Sequence, residues 1–294
     1  MTEIFGISVP ALMGQLLIGL INGSFYALLS LGLAVIFGLL NIINFSHGAQ
    51  YMMGAFVAYF LLNKTGLGYW WALIIAPIVV GATGVVIERF MLSRLYKLDH
   101  LYGLLLTFGL ALIIEGAFHH EFGSAGLPYA MPSQLAGGNN LGFMFLPKYR
   151  AWVIVASLVI CLGTWFLIER TKLGAYLRAA TENPKLVEAF GINVPRMVTL
   201  TYGFGVGLAA LAGVFAAPIY QVSPQMGSSL IIVVFAVVVI GGMGSIMGSI
   251  VTGFGLGIIE GLTKYFYPEA SNTVIFVIMA IVLMFRPQGL FGQR

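Results

Sequence analysis

Charged residues are scarce in this sequence. Asp, Glu, Lys and Arg together make up 8% of the 294 residues, whereas a soluble domain carries about 25%. So few charges cannot cover a water-facing surface, and hydrophobic residues supply 60% of the chain. The composition therefore excludes a soluble globular domain. It predicts an all-α polytopic membrane protein, because the apolar runs have the length of membrane helices.

The features of several other protein classes are missing. Cys161 is the single cysteine, so the chain cannot form an internal disulfide. The phosphate-binding pattern G-x-x-x-x-G-K-[ST] does not occur, so any ATP must be hydrolysed by another chain. The net charge of +4 does not indicate nucleic-acid binding, because the basic residues lie in short loops. Residues 119–121 (His-His-Glu) do not predict a metal site, since adjacent helical residues point apart.

Apolar runs follow one another along the chain. A helix that crosses a bilayer needs about 20 mainly apolar residues. Two of the runs are shorter, and they are compatible with either one discontinuous helix or two crossings. We therefore predict about eight to ten membrane elements in a single transmembrane domain, residues 1–294. The runs lie near 11–30, 31–43 and 48–62 (the second and third being the short ones), 70–88, 101–119, 151–168, 198–218, 229–245, 247–266 and 272–286.

The basic residues predict the orientation of the chain. Ten of the fourteen lysines and arginines lie in segments 89–97, 169–196 and 286–294. Cytoplasmic segments are enriched in Lys and Arg, so we place these segments and the C-terminus in the cytoplasm. Segment 120–150 is rich in Gly, Pro and Asn and is predicted to be an extracytoplasmic loop. The side of the N-terminus stays open, because no basic residue precedes Lys64.

A polar break, residues 41–48, interrupts the first apolar stretch. It contains Asn41, Asn44, Ser46 and His47. Polar groups at membrane depth are costly and usually line a functional path or pair with freed backbone. We interpret these four side chains as a polar patch on a solute path. A histidine that merely bonds to the unwound backbone is the alternative for His47.

A glycine-rich break, residues 241–249, interrupts a later apolar run. Paired interruptions in the two halves of a transporter point to a solute path and an inverted repeat, which we carry as a hypothesis. Close helix packing is the alternative, because G-x-x-x-G pairs are common helix contacts; for 253–261 packing is the favoured interpretation. The path residues predicted in this break are Gly241, Gly242, Gly244 and Ser245.

Segment 169–196 is too long and too patterned to be a simple connector. Asn183 suits an N-cap, Pro184 the first helical position and Gly191 the C-terminal cap. A short helix over 184–190 follows, and its Leu186 and Phe190 share a face. Such a helix needs a packing partner, which is either another protein or the lipid headgroup layer.

Several motifs resemble those of a known family. Residues 174–183 and 188–195 resemble the cytoplasmic coupling loop of ABC-importer permeases. Residues 38–55 look like the N-terminal signature of LivH-type permeases of branched-chain amino acid importers, and the glycine-rich break and tail 285–292 also fit. The resemblance covers nearly the whole chain.

The resemblance implies an assembly in a bacterial inner membrane. Its parts are a second related permease subunit, two cytoplasmic ATPase subunits that use the ATP, and a periplasmic solute-binding protein. This chain would contact membrane lipid, bind no cofactor and have no catalytic site of its own. The coupling residues implied by the resemblance and by the short helix are Glu182, Lys185, Leu186, Glu188, Ala189, Phe190 and Gly191.

Two questions stay open at this point. A secondary transporter driven by an ion gradient would use Glu115 or Glu260, although Glu260 has the helical spacing for an ion pair with Lys264. The resemblance implies leucine, isoleucine or valine as solute, while related permeases carry other amino acids, amides or urea. The sequence also does not distinguish a homodimer from a heterodimer of permeases.

Overall fold

The structure is a computed structural model that describes residues 3–4, 7–40, 42–142 and 145–292. Helices dominate this part of the chain, and two short antiparallel hairpins supply the strands. The hairpins pair β1 (Glu3–Ile4) with β2 (Ile7–Ser8) and β3 (Gly138–Asn140) with β4 (Phe145–Pro147). The helices are α1 (Val9–Leu40), α2 (His47–Phe60), α3 (Tyr69–Phe90), α4 (His100–Phe122), α5 (Lys148–Glu169), α6 (Lys172–Glu182), α7 (Pro184–Ala189), α8 (Val194–Tyr220), α9 (Ser228–Gly241), α10 (Ile246–Phe266) and α11 (Val274–Phe285).

Seven helices in the described residues are long and apolar enough to cross a membrane. They include α1, α3, α4, α5, α8 and α10, together with α9 and the turn before it. Helices α2 and α11 are shorter, with 14 and 12 residues. The chain is therefore an all-α, multi-pass membrane protein, as its composition predicts.

The prediction of separate elements at 11–30 and 31–43 is wrong. Both runs belong to α1, one helix of 32 residues that is about 48 Å long. Gly32 does not interrupt the helix; it allows a close approach, because a Cβ there would lie 2.7 Å from the carbonyl oxygen of Gly205. In the described residues, the irregular backbone of the polar break starts at Ile42.

The chain divides into two compact units. The first unit comprises residues 1–30, 131–161 and 233–294, and the second comprises 31–130 and 162–232. The helices α1, α5 and α9 each contribute residues to both units.

In the first unit, glycines bring α1 and α10 into backbone contact. A Cβ on Gly257 would lie 2.4 Å from the carbonyl oxygen of Gly19, and one on Gly253 would lie 2.5 Å from the Cα of Ala27. A Cβ on Gly261 would also be too close, 2.4 Å from the carbonyl oxygen of Gln15. This confirms the prediction that the glycines of 253–261 serve close helix packing.

Glu260 is bound by α1, and the predicted ion pair with Lys264 is wrong. Its two carboxylate oxygens accept hydrogen bonds from Asn22 Nδ2 at 3.2 Å and Tyr26 Oη at 2.8 Å. No salt bridge joins Glu260 to Lys264 in the described part of the chain. The reason is that Glu260 shares the buried side of α10 with the packing glycines, so α1 supplies its partners.

In the second unit, α8 packs against α2 and α3. A Cβ on Gly54 of α2 would lie 2.2 Å from the carbonyl oxygen of Ala210, and one on Gly81 of α3 would lie 3.0 Å from that of Gly203. Apolar side chains fill the remaining space, among them Ile36, Val80, Leu92 and Val206. The core of this unit therefore surrounds α8.

Two glycines of α10 provide a matched test of this packing. A Cβ on Gly257 meets backbone at 2.4 Å, whereas a Cβ on Gly255 meets nothing within 4 Å. We expect Gly257→Ala to destabilise the protein by about 1–3 kcal/mol through overpacking, and Gly255→Ala to be neutral or stabilising, since Ala favours a helix. The midpoint temperature of thermal unfolding, measured on the detergent-solubilised protein, reports the stability change of each variant. Equal midpoints for the two variants would contradict the packing.

Candidate functional site: the polar break, the glycine-rich break and the segment 169–196

The polar break separates α1 from α2. Residues 42–46 are not helical, and α2 begins at His47. Asn41, predicted to line the path, lies outside the described residues. Asn44, Ser46 and His47 are all fully buried, so in this structure they contact protein and not an open passage.

Two side chains of the polar break and Gln50 of α2 form a closed ring of hydrogen bonds. Ser46 Oγ donates to Asn44 Oδ1 at 2.6 Å, and Asn44 Nδ2 donates to Gln50 Oε1 at 3.1 Å. Gln50 Nε2 closes the ring by donating to Ser46 Oγ at 3.1 Å. The sequence analysis missed Gln50, although its spacing of four residues from Ser46 at a helix start is the signal that could have found it. The ring satisfies most of the polar atoms that would otherwise be costly at this depth.

Thr107 of α4 fixes the backbone of the polar break. Its Oγ1 accepts from the amide of Phe45 at 3.1 Å and lies 3.2 Å from the carbonyl oxygen of Ile43. Thr107 lies about 10 Å along α4 from its first residue, and α4 is long and apolar enough to cross a membrane. The break therefore lies within the depth of a spanning helix, where irregular backbone requires protein partners. No sequence pattern linked Thr107 to the break.

His47 packs against α1. A Cβ on Gly32 would lie 3.0 Å from His47 Cε1 and 3.1 Å from Nε2. The imidazole therefore occupies the space that this glycine leaves open. The contact holds the start of α2 beside α1 within the second unit.

Further buried polar groups lie next to the ring. Tyr202 of α8 is fully buried and lies in one cluster with Ile42 of the polar break. Glu88, near the end of α3, is 2% exposed, and its Oε1 accepts from Tyr96 Oη at 2.5 Å. Burial of this hydroxyl, with the adjacent carboxylate, raises the pKa of Tyr96 well above its usual value. Tyr96 therefore stays protonated and keeps donating.

The glycine-rich break is unwound for four residues. Helix α9 ends at Gly241 and α10 begins at Ile246. Gly242 and Gly244 have φ values of +102° and +88°, which side chains other than glycine rarely adopt. Ser245 caps α10, because its Oγ accepts from the amide of Gly248 at 3.0 Å. The structure confirms the interruption of the helix, whereas the assignment to a solute path stays a prediction.

The C-terminal tail, residues 286–292, contacts this break. The amides of Leu290 and Phe291 donate to the carbonyl oxygens of Ile240 and Gly241 at 2.8 and 3.1 Å. A Cβ on Gly242 would lie 2.5 Å from the amide nitrogen of Gly292. The tail thus supplies donors to the end of α9, where helix carbonyls lack intrahelical partners. Gly242 packs against the tail, which the sequence did not predict.

The two breaks belong to different units, the polar break to the second and the glycine-rich break to the first. A path that both would line, and an inverted repeat that would relate them, stay predictions.

Segment 169–196 contains the predicted short helix and one more. Helix α7 spans Pro184–Ala189, Asn183 Oδ1 accepts from the amide of Leu186 at 3.1 Å, and Gly191 has a φ of +83°. These contacts confirm the predicted caps. The sequence analysis missed α6, which is held to α5 by an ion pair of Arg178 with Glu169 at 3.3 Å.

An exposed apolar surface lies between α6 and α7. Leu186 and Phe190 are 55% and 78% exposed, while Val187 is buried and attaches α7 to the protein. An open groove of about 430 Å³ runs beside them. Its lining comprises Tyr176, Ala179, Glu182, Asn183, Leu186, Val187, Phe190 and Ile192. Lys185, Glu188, Ala189 and Gly191 are exposed around this surface.

A pair of glycine variants tests the contact of the tail with the glycine-rich break. Gly289 and Gly137 have φ values of +81° and +79°, but a Cβ would meet Gly242 Cα at 2.4 Å in the first case and nothing within 4 Å in the second. Both alanine variants carry the backbone strain of about 1–2 kcal/mol. We expect only Gly289→Ala to release the tail, measured as faster removal of C-terminal residues by carboxypeptidase. The same rate in both variants would refute the contact.

Comparisons with known proteins identify the family. Residues 15–283 match the family described as branched-chain amino acid transport system, permease component. The chain is 30% identical over 292 residues to the high-affinity branched-chain amino acid transport system permease protein BraD of Pseudomonas aeruginosa, covering 95% of each chain. It is 29% identical to the corresponding protein LivH of Escherichia coli K12, again over 95% of each chain.

A second E. coli K12 permease protein of that transport system, LivM, is 28% identical over 289 residues, which cover 90% of this chain and 67% of LivM. No solved structure matches the chain. The family match extends over most of the chain and agrees with the resemblance of its motifs. The chain therefore belongs to the family of permease components of branched-chain amino acid transport systems.

Proposed function

We propose that this chain is the membrane-spanning subunit of an ATP-driven importer of leucine, isoleucine or valine. It would act in a bacterial inner membrane, with segment 169–196 and the C-terminus in the cytoplasm. The observation that carries the proposal is the exposed apolar pair Leu186 and Phe190 on a capped helix, within a chain of the permease family. A helix of six residues has no independent stability, and within a chain of the permease family we assign its exposed pair to a protein partner and not to the lipid headgroup layer.

The partners of the chain are proposed from its resemblance to ABC-importer permeases. Helix α7, with the charged rim of Glu182, Lys185 and Glu188, would contact one of two cytoplasmic ATPase subunits, which hydrolyse the ATP. LivH and LivM of E. coli both resemble this chain, which supports a second permease subunit beside it. A periplasmic solute-binding protein would deliver and select the solute.

The polar break would act as a gate on the solute path. Its ring of Asn44, Ser46 and Gln50 is closed and buried here, so passage of a solute requires these hydrogen bonds to be exchanged. Such a passage needs only weak binding, because the binding protein supplies selectivity. Asn41, Gly241, Gly242, Gly244 and Ser245 complete the proposed path.

The chain itself would need no cofactor and would carry out no reaction. In the described residues no group of three His, Cys, Asp or Glu side chains could hold a metal ion. The alternative, an ion-gradient carrier, has less support, because both oxygens of Glu260 already accept hydrogen bonds and Glu115 is bonded by Ser228 Oγ at 3.4 Å.

The double substitution Leu186→Asp with Phe190→Asp tests the coupling role of α7. We expect at least a tenfold loss of ATP-dependent uptake in proteoliposomes that contain the complete transporter, because two charges replace the apolar contact. The membrane fold should persist, as shown by an unchanged elution volume of the permease in detergent. Leu173→Asp is the control, since Leu173 is exposed on α6 but does not line the groove. Uptake at the wild-type rate in the double variant would sink the coupling assignment.

Substitutions in the polar break test the gate. Asn44→Leu removes two of the three ring hydrogen bonds, and His47→Leu removes the imidazole beside Gly32. We expect each to lower uptake several-fold while the ATPase subunits still co-purify. Asn63→Leu serves as control, because Asn63 is exposed and its side chain donates to the carbonyl oxygen of Tyr59, four residues earlier in the chain. If both break variants take up solute at full rate, the break has only a structural role.

A further inference from the structure

Glu115 is a carboxylate at membrane depth. Helix α4 is long and apolar enough to cross a membrane, and Glu115 lies about 22 Å along it from the first residue and about 10 Å from the last. A charged side chain at such a depth is costly and normally faces protein or a water-filled cavity. Glu115 is half-buried in this chain, so part of its side chain is open to a group from outside the chain.

The first turn of α9 lies against this carboxylate. Ser228 is the first residue of α9, and its Oγ donates to Glu115 Oε1 at 3.4 Å. Ser228 and Ser229 are both exposed. The start of a helix favours a negative charge, whereas lipid solvates neither a carboxylate nor a hydroxyl group well. These side chains therefore form an accessible polar surface within the depth of the membrane.

The charge of Glu115 has no counter-ion in the described part of the chain. The salt bridge found there joins Arg178 to Glu169, and no group of three His, Cys, Asp or Glu side chains in those residues could hold a metal ion. A carboxylate accepts about four hydrogen bonds, and the contact with Ser228 uses one of them. A positively charged donor from outside the chain would complete the site.

The site adjoins the polar break. A Cβ on Gly48, the last residue of the break, would lie 2.6 Å from the carbonyl oxygen of Gly227, which directly precedes Ser228. The starts of α2 and α9 are therefore in backbone contact. Thr107, which binds the break, lies about 12 Å nearer than Glu115 to the end of α4 that is predicted to be cytoplasmic. A solute that moves inward would reach Glu115 before the break.

We propose that Glu115 binds the α-ammonium group of the amino acid on the outer side of the polar break. Ser228 holds the carboxylate in place, and the ammonium group donates charge-assisted hydrogen bonds to it. Amides and urea carry no such cation, so the site favours zwitterionic amino acids among the solutes that related permeases carry. This inference rests on the proposed function, because it names a contact of the transported solute.

Glu115→Gln removes the charge and keeps an oxygen that can accept from Ser228. In proteoliposomes that contain the permeases, the ATPases and the binding protein, we expect ATP-dependent uptake of L-leucine to fall about tenfold, because a charge-assisted contact is lost. The elution volume of the assembled complex should not change. Glu121→Gln is the matched control, since Glu121 is an exposed carboxylate near the end of the same helix, and this variant should take up leucine at the wild-type rate.

Cysteine labelling tests the site without transport. Cys161 is the single cysteine, so Ser228→Cys in a Cys161→Ala background gives this chain one thiol. We expect a trimethylammonium-ethyl methanethiosulfonate to modify it about tenfold faster than the sulfonatoethyl reagent, because the adjacent carboxylate attracts cations. Mass spectrometry of this chain measures both rates. Adding Glu115→Gln should abolish the preference.

Ile113→Cys in the same background is the control for labelling. Ile113 is 68% exposed on α4, but it is an apolar side chain two residues from Glu115. We expect it to face lipid, so neither charged reagent should modify a cysteine there. Modification of Ile113→Cys at the rate of Ser228→Cys would mean that this whole surface is open to water, and it would overturn the assignment of a specific site.

The remaining outcomes separate the site from the proposed function. Full uptake in Glu115→Gln overturns the inference, and so does an equal loss in Glu121→Gln. Equal rates of the two reagents at Ser228→Cys, or no reaction, also overturn it, because the carboxylate then does not face a water-filled space. Uptake that requires sodium ions in the wild type but not in Glu115→Gln would assign the site to a metal cation instead. If the wild-type assembly shows no ATP-dependent uptake, the proposed function fails, whereas the reagent preference still reports on the carboxylate.

Discussion

Backbone that leaves a helix at membrane depth must find its hydrogen bonds within the protein, and both breaks in this chain meet that requirement. At the polar break, Thr107 of α4 accepts from the amide of Phe45, and the side chains close a ring. At the glycine-rich break, the tail donates two amides to the end of α9, and Ser245 caps α10. Both interruptions therefore have hydrogen-bond partners within the described part of the chain.

Glycines bring several helices of this chain into backbone contact, which limits how these helices can move relative to one another. Helices that approach at backbone distance, such as α1 with α10 and α8 with α2 and α3, have no soft side-chain layer between them. Closely packed helices change between discrete arrangements, in which one set of contacts replaces another, because they cannot deform continuously.

The exposed segment of α6 and α7 combines local order with an open apolar surface. Its apolar pair is exposed, its caps are satisfied, and Val187 attaches it to the remainder of the unit. Helix α8 follows this segment directly and packs against α2 and α3 in the second unit.

Features that depend on local chemistry could be predicted from the amino-acid sequence. Scarce charge identified the membrane class, Asn183, Pro184 and Gly191 delimited α7, and the clusters of polar residues and glycines located both breaks. The tertiary structure decided the partners that are distant in sequence. Gln50 and Thr107 form hydrogen bonds with residues of the polar break. The tail packs against Gly242. Glu260 accepts hydrogen bonds from α1 and forms no ion pair with Lys264 in the described residues. The sequence also did not show that α1 continues through Gly32. This glycine allows the close approach of α8 and does not interrupt the helix. Local patterns report the propensity of a segment, whereas these partners depend on which helix faces which, and only the packed chain specifies that.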